Sequence, residues 1–86
     1  MDIIQLLALR GTRKILLSLE KAGKMQYSEI VKLVGYSTTT TRALKGMERF
    51  GIAKREVLNE PYRPVAYSLT DKGRKLAGIL KDLENL

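Results

Sequence analysis

Two helical patterns separated by only two residues constrain the fold of this chain more than any other feature. The first pattern ends before Gly35, and the second begins at Ser37. Helices joined by so short a turn must cross steeply, as they do in a helix-turn-helix. The sequence therefore predicts this motif over about residues 28–50, with Ser28 and Ser37 as the N-caps of its two helices.

The second helix, predicted from Ser37 to Phe50, has two sides of opposite character. Its apolar side carries Thr40, Ala43, Leu44, Met47 and Phe50, and its polar side carries Thr38, Arg42, Lys45 and Arg49. The threonine run crowds the first turn, where hydroxyls can bind unpaired N–H groups or an incoming phosphate. Because the polar side holds three cations and no acid, it favours a polyanionic partner. Local capping by the threonines and a merely solvated basic face are the alternatives.

A period of two replaces the helical period after Gly51. Residues 52–58 and 65–69 alternate as two strands, with Tyr67 directed towards the core, and the segment NEPYRP between them holds both prolines. Proline cannot pair inside a central ladder, so this segment is the loop of a hairpin. Thr70 then provides the N-cap of a last helix, over about residues 70–86.

The first 27 residues predict two helices and a short extended segment. Apolar residues recur at spacings of three and four as far as Ala22, interrupted at Gly11, with Thr12 as the N-cap of the second helix. An extended piece follows at about residues 24–27. The whole order is that of a winged helix-turn-helix, an α+β, mostly helical fold with a two-stranded wing and a C-terminal helix, forming a single domain over residues 1–86.

Apolar stripes at both termini predict a homodimer. An 86-residue chain has a small core that cannot absorb all of this apolar surface, and a second copy would cover it. The terminal helices, about residues 1–9 and 70–86, are the predicted interface. The residues assigned to it are Ile3, Leu6, Leu7, Leu76, Ile79, Leu83 and Leu86.

Charge and composition narrow the function. The formal net charge is +7, and residues 10–75 carry 15 cations against 6 acids, so the basic character lies in the middle of the chain. This charge favours nucleic acid, although solubility alone is an alternative. With no cysteine and no histidine, the chain has no disulfide, no thiol nucleophile, no Ser-His pair and no thiolate or imidazole zinc site.

Other classes of protein are also disfavoured. The sequence contains neither a spaced pair of carboxylates nor a phosphate-binding loop, so an enzyme is not expected. Neither a cofactor nor a metal is expected either. The apolar runs are far too short to span a membrane, so we expect a cytoplasmic protein. Few Asn and Gln among many Lys, Leu and Ile favour a thermophilic source.

Two segments carry a resemblance to a known group of proteins. The stretch SEIVKLVGYSTTTTRALKGMERFGIAKRE is similar to the helix-turn-helix and first wing strand of winged-helix regulators of the MarR, ArsR and HxlR type. The stretch AYSLTDKGRKL resembles their second wing strand and the next helix, and it is the more specific of the two. Together they cover about residues 12–80. The cysteine or metal ligands with which many of these regulators sense oxidants or metals are missing here, which argues against a redox or metal sensor.

The resemblance implies a reading helix in the major groove and a wing at the backbone or minor groove of double-stranded DNA. It assigns the reading helix to Ser37–Phe50 and the wing to Lys54–Tyr67. The residues predicted to contact DNA are Ser37, Thr38, Thr39, Thr41, Arg42, Lys45, Arg49, Lys54, Arg55 and Arg63. Arg42 is the first choice for a base contact, because arginine pairs bidentately with guanine. For Lys54 and Arg55, a purely structural role is as well supported as a DNA contact. At the wing tip, the negative charge of Glu60 argues against a DNA contact by Arg63.

The sequence therefore predicts a DNA-binding transcriptional regulator that acts as a homodimer. One alternative is an architectural, chromatin-type protein of low sequence specificity, and another is a winged helix that binds protein. No motif identifies a small-molecule effector.

Overall fold

The computed structural model describes all 86 residues, which form five helices and three strands. In chain order these are α1 Ile3–Ala8, α2 Thr12–Ala22, β1 Lys24–Gln26, α3 Tyr27–Val34, α4 Ser37–Arg49, β2 Ala53–Val57, β3 Val65–Leu69 and α5 Asp71–Glu84. This order confirms the predicted winged helix-turn-helix. None of the helices is long and apolar enough to cross a membrane.

Three predicted N-caps are wrong by one or two residues. Helices α2, α3 and α4 are preceded by Gly11, Gln26 and Tyr36 as their N-caps, and Thr12, Ser28 and Ser37 already lie inside the helices. At α3 the competing signal is a capping box between Gln26 and Glu29, whose carboxylate accepts the Gln26 N–H at 2.8 Å. The fourth predicted cap is confirmed, because the Thr70 hydroxyl accepts the Gly73 N–H at 3.1 Å.

The sheet has three strands, one more than the predicted wing. Its order is β1-β3-β2, and both pairs are antiparallel. The hairpin of β2 and β3 is confirmed, and the short extended segment after α2 pairs with the far side of β3 through Lys24↔Ser68 and Gln26↔Ala66. β3 is central, so both of its edges are paired, and its neighbouring residues Ala66 and Tyr67 are both buried.

The core lies between α2, α4, α5 and the sheet. Its largest fully buried side chains include Ile15, Leu16 and Leu19 of α2 and Leu44 and Met47 of α4. These residues follow the helical spacing seen in the sequence. Helix α4 thus turns one complete side inward, and its other side is left for the surface.

The TDKG segment fastens the start of α5 to the end of α4. The Thr70 hydroxyl lies 2.5 Å from the carbonyl oxygen of Gly51 and 3.0 Å from that of Ile52, and Lys72 Nζ donates to the Phe50 carbonyl at 2.7 Å. Gly73 is required here, since a Cβ at this position would lie 2.1 Å from the Ile52 carbonyl oxygen. The motif therefore fixes the direction in which the chain leaves α4 and enters the wing.

The terminal helices leave apolar surface uncovered, with one correction to the predicted interface. Ile79 and Leu83 are 51% and 57% exposed and Leu86 fully so, whereas Ile3, Leu7 and Leu76 are half-buried against the core. Leu6 is wrong as an interface residue, because it is 0% exposed and packs on Gly46 of α4. Ile4, which the sequence analysis did not select, is 70% exposed.

Candidate nucleic-acid interface

Helix α4 presents its polar side to solvent as the sequence predicted. Thr40, Ala43, Leu44 and Met47 are buried, whereas Arg42, Lys45 and Arg49 are exposed. The three cations recur at steps of three and four residues, so they form one stripe along the helix. At about 1.5 Å per residue, the stripe extends over about 10 Å along the helix axis.

The first turn of α4 is open to an incoming anion. Tyr36 is its N-cap and supplies no side-chain hydrogen bond, so the predicted capping by Ser37 is absent. Thr40 uses its hydroxyl in the other direction, donating to the Tyr36 carbonyl at 2.7 Å. Ser37 and Thr38 are exposed, and the first N–H groups of a helix have no acceptor within the helix, which makes a helix start suited to anions.

Tyr27 lies beside this turn and was missed by the sequence analysis. Its hydroxyl lies 2.6 Å from the Thr41 hydroxyl and 3.4 Å from the Ser37 carbonyl oxygen. An open concavity of about 470 Å³ results, lined by Tyr27, Ser37, Thr38, Thr41, Arg42 and Lys45. The structure therefore brings five of the predicted DNA-binding residues together, and it shows that Thr41 also ties α4 to the start of α3.

Arg10 is a second residue that the sequence analysis missed. Its guanidinium lies over the Tyr36 ring, 5.7 Å from the centroid, a cation–π arrangement that places a charge next to the start of α4. A smaller concavity of about 210 Å³ is lined by Leu9, Arg10, Thr38, Thr39 and Arg42. Neither Arg10 nor Tyr27 stands out in the sequence, because the contacts of both with the start of α4 depend on how the preceding helices pack against it.

The cations of α4 are free of acidic partners. The four ion pairs of the molecule join Arg13 to Glu84, Lys24 to Glu56, Arg74 to Asp71 and Lys81 to Glu20. Arg42, Lys45 and Arg49 take part in none of them. The one acid of α4, Glu48, is half-buried and faces Tyr67, whose pKa is raised by burial first and by the Glu48 charge second. No acidic side chain therefore pairs with the cations of the exposed stripe.

The wing cations do not share one face. Lys54 lies opposite Ser68 and Arg55 opposite Tyr67, and successive strand residues project to opposite sides. Glu56, on the Lys54 side, is bound by Lys24 Nζ at 2.7 Å, which lowers the pKa of the Glu56 carboxyl. Lys54 and Arg55 are both exposed, but the structure places neither in the concavities beside α4.

The wing tip contains an unusual backbone conformation at Arg63. Its φ is 45°, the only positive value at a non-glycine residue, and its N–H donates to the Glu60 carbonyl at 2.9 Å. Such a conformation is costly for a residue with a Cβ. Arg63 and the neighbouring Tyr62 are exposed at the tip, away from α4.

A profile of the HxlR-like helix-turn-helix family matches residues 6–86. The chain belongs to the HxlR-like helix-turn-helix family. Two relatives, each named as an uncharacterized HTH-type transcriptional regulator, are 36% identical: one from Methanothermobacter thermautotrophicus over 73 residues and YvaP from Bacillus subtilis over 63 residues. These matches include 83% and 71% of this chain but 56% and 58% of the relatives, so the HxlR-like chain described here spans little more than half of their length.

Solved structures place this HxlR-like chain among winged-helix regulators. The reduced form of YodB from B. subtilis superposes with a TM-score of 0.78 at 25% identity, covering 95% of this chain and 81% of that one. The regulator SlyA gives a TM-score of 0.78 at 22% identity, covering 88% and 54%, and ZitR from Lactococcus lactis gives 0.77 at 21%, covering 87% and 57%. The latter two establish the fold. Within this HxlR-like chain, no group of three or more His, Cys, Asp or Glu side chains is arranged to hold a metal ion.

Proposed function

We propose that this chain binds double-stranded DNA as a homodimer and regulates transcription, with α4 as the reading helix in the major groove. The observation that carries the proposal is the unpaired basic stripe of Arg42, Lys45 and Arg49 beside an uncapped first turn. Family membership supports it, since the relatives are named as transcriptional regulators. The wing would contact the backbone or minor groove through Lys54, Arg55 and Arg63, and DNA as the partner implies a cytoplasmic location.

Each residue of the stripe has a different expected role. Arg42 lies nearest the start of α4 and lines the concavities on both sides of it, so we assign it the base contact. Lys45 contributes to the same contact less selectively, because an ammonium cannot pair bidentately with a base. Arg49, near the end of the helix, is assigned to the phosphate backbone. Ser37, Thr38 and Thr39 would position α4 through phosphate contacts, which carry no sequence information.

The test begins with selection of bound duplexes from a random pool. Arg42→Ala is expected to weaken binding to the selected site by about 1–3 kcal/mol while changing nonspecific binding much less. Arg49→Ala is expected to weaken binding to all duplexes and to lower the salt slope by about one. Thr38→Val removes a hydroxyl at constant shape and should weaken binding without altering the unfolding curve. Lys21→Ala, on α2, is the matched control for loss of one charge.

The outcomes separate this function from its alternatives. Equal affinity for selected and random duplexes would indicate an architectural protein, and failure to bind any duplex at low salt would indicate a protein-binding winged helix. If the α4 variants bind the selected site as the parent does, α4 is not the reading helix.

The dimer is proposed through α1 and α5. Both helices pack on α2, and the ion pairs of α5 with Glu20 and Arg13 of α2 leave Ile79 and Leu83 on the outside. The set now proposed is Ile3, Ile4, Leu7, Leu76, Ile79, Leu83 and Leu86. Large apolar side chains left exposed on two helices make these helices candidates for an interface.

Sedimentation of the double variant Ile79→Lys/Leu83→Lys tests this interface. We expect a dimer for the parent at micromolar concentration and a monomer for the variant, because two buried charges would oppose association. Val57→Lys is the matched control, since Val57 is 50% exposed on the wing. A monomeric parent, or a dimeric double variant, would contradict the assignment.

A further inference from the structure

A second cationic surface lies outside α4, where α1 meets α2. A concavity of about 520 Å³ opens there. Three exposed cations, Arg10, Arg13 and Lys14, lie along its wall, over a floor that includes Leu7, Leu9 and Val34. No acidic side chain lines it.

This surface, which we call the α1–α2 patch (Arg10, Arg13 and Lys14), is continuous with the start of the reading helix. Leu9 and Arg10 line both the α1–α2 patch and the smaller concavity that contains Thr38 and Arg42. The cation–π contact of Arg10 with Tyr36 fixes the patch relative to the N-cap of α4. A charged path thus runs from Arg42 across Arg10 to the first turn of α2.

The cations of the patch are available to a partner. Arg10 and Lys14 form no ion pair, and Arg13 has only a long contact of 3.9 Å with Glu84, between side chains that are 65% and 46% exposed. Exposed pairs of this kind contribute little. Exposed cations on an open wall suit an extended polyanion, whereas a pocket for a small anion would enclose its ligand.

We propose that the α1–α2 patch binds the phosphate backbone of DNA outside the segment read by α4. The proposal rests on the DNA-binding function given above and adds a contact surface distinct from both α4 and the wing. Phosphate contacts position a protein without reading sequence. The patch should therefore raise affinity for every duplex equally and increase its salt dependence.

The test compares two double variants that lose the same charge. Arg13→Gln/Lys14→Gln removes two cations of the patch, and Lys21→Gln/Lys75→Gln removes two exposed cations that line none of the concavities. Each lost phosphate contact lowers the slope of log K against log salt by about 0.9. Between about 50 and 200 mM salt, the affinity of the parent should thus fall by a factor about ten times larger than the affinity of the patch variant. Selected and random duplexes should lose the same factor.

Two further measurements keep the result unambiguous. Lys14→Gln alone retains the Arg13–Glu84 contact and should show about half of the change in slope, so an effect through α5 is separable. Ethylation interference should identify, for the parent, phosphates flanking the segment read by α4 whose modification prevents binding. For the patch variant, ethylation of these phosphates should no longer affect binding.

Each outcome supports or overturns the proposal. Equal slopes for the two double variants would overturn it while leaving DNA binding by the parent intact. A parent that binds no duplex would overturn both this inference and the proposed function. If the patch variant loses only a stabilisation by inorganic phosphate and keeps the parent's salt slope on DNA, the patch is a small-anion site and the proposal is wrong.

Discussion

Two buried threonines allow the contribution of a buried hydroxyl to stability to be tested by the same substitution, threonine to valine, at each position. Thr12 is 1% exposed and Thr40 is 0% exposed, so both side chains are equally removed from water. The Thr40 hydroxyl donates to the Tyr36 carbonyl at 2.7 Å, whereas the Thr12 hydroxyl has no hydrogen-bond partner in the protein. Valine matches the shape of threonine and has nearly the same helix propensity. The substitution therefore isolates the hydroxyl at each site.

The two changes should have opposite signs. A buried hydroxyl without a partner costs about 1–3 kcal/mol, so Thr12→Val should raise the free energy of unfolding by about that amount. At Thr40 the substitution removes a hydrogen bond worth about 0.5–1.5 kcal/mol. The Tyr36 carbonyl still accepts the Thr40 N–H at 3.0 Å, so no acceptor is orphaned and the expected loss is about 0.5–1 kcal/mol.

Urea unfolding followed by far-ultraviolet circular dichroism measures both variants. Protein concentration must be constant, because dimerisation would add to the apparent stability. We expect the midpoint to rise for Thr12→Val and to fall for Thr40→Val, with an unchanged slope. Loss of stability in Thr12→Val, or equal shifts in the two variants, would refute the assignment of an unsatisfied hydroxyl at the start of α2.

Two other sites give independent tests. Gly73→Ala should lower the free energy of unfolding by about 1–3 kcal/mol through overpacking against the Ile52 carbonyl. Gly78→Ala, with nothing within 4 Å of the added Cβ, should raise it by about 0.5–1 kcal/mol. Similar urea midpoints for the two variants would contradict this. Burial raises the pKa of Tyr67 above its ordinary 10.0. The contribution of this protonated hydroxyl to the free energy of unfolding should therefore be fully present below pH 10.0 and be lost as pH rises through the folded-state pKa. Tyr67→Phe should remove that part of the slope in alkaline unfolding titrations, and an unchanged slope would show that Tyr67 ionises normally.

Periodicity was sufficient to predict the elements and the two sides of α4. A helix of this length with one inward side has few other arrangements of Thr40, Leu44 and Met47. The alternation of residues 65–69 likewise predicted that Tyr67 would be buried. These signals are local, so they survive without knowledge of the neighbours.

Features that depend on neighbours were not predictable. The third strand, β1, is only three residues long, and its pairing with β3 depends on partners 40 to 44 residues away. In the sequence, Leu6 and Leu7 both belong to the apolar pattern of α1. Only the close approach of α1 to Gly46 buries Leu6 in the core. The contacts of Arg10 and Tyr27 with the start of α4 likewise depend on how the helices pack, although Tyr27 belongs to α3, the helix just before α4. The thermophilic source, inferred from composition, stays a prediction.

The contacts around α4 explain how its basic stripe can be presented rigidly. Tyr27 contacts its start through the Ser37 carbonyl and the Thr41 hydroxyl, and Lys72 binds the Phe50 carbonyl at its end. In between, Leu6 of α1 packs on Gly46, where an added Cβ would lie 2.5 Å from the Leu6 side chain. All three contacts use side chains from outside the helix.

Because its neighbours hold α4 at both ends and at the middle, the helix needs no ion pair of its own cations to keep its orientation. A helix held in one orientation before binding loses less entropy when it docks, which favours affinity without additional contacts. The contact of Leu6 with Gly46 also has a consequence for the proposed dimer. If α1 lies in the interface, the position of α4 in one protomer is set by packing that adjoins the partner, so the spacing between two reading helices would follow from the interface itself.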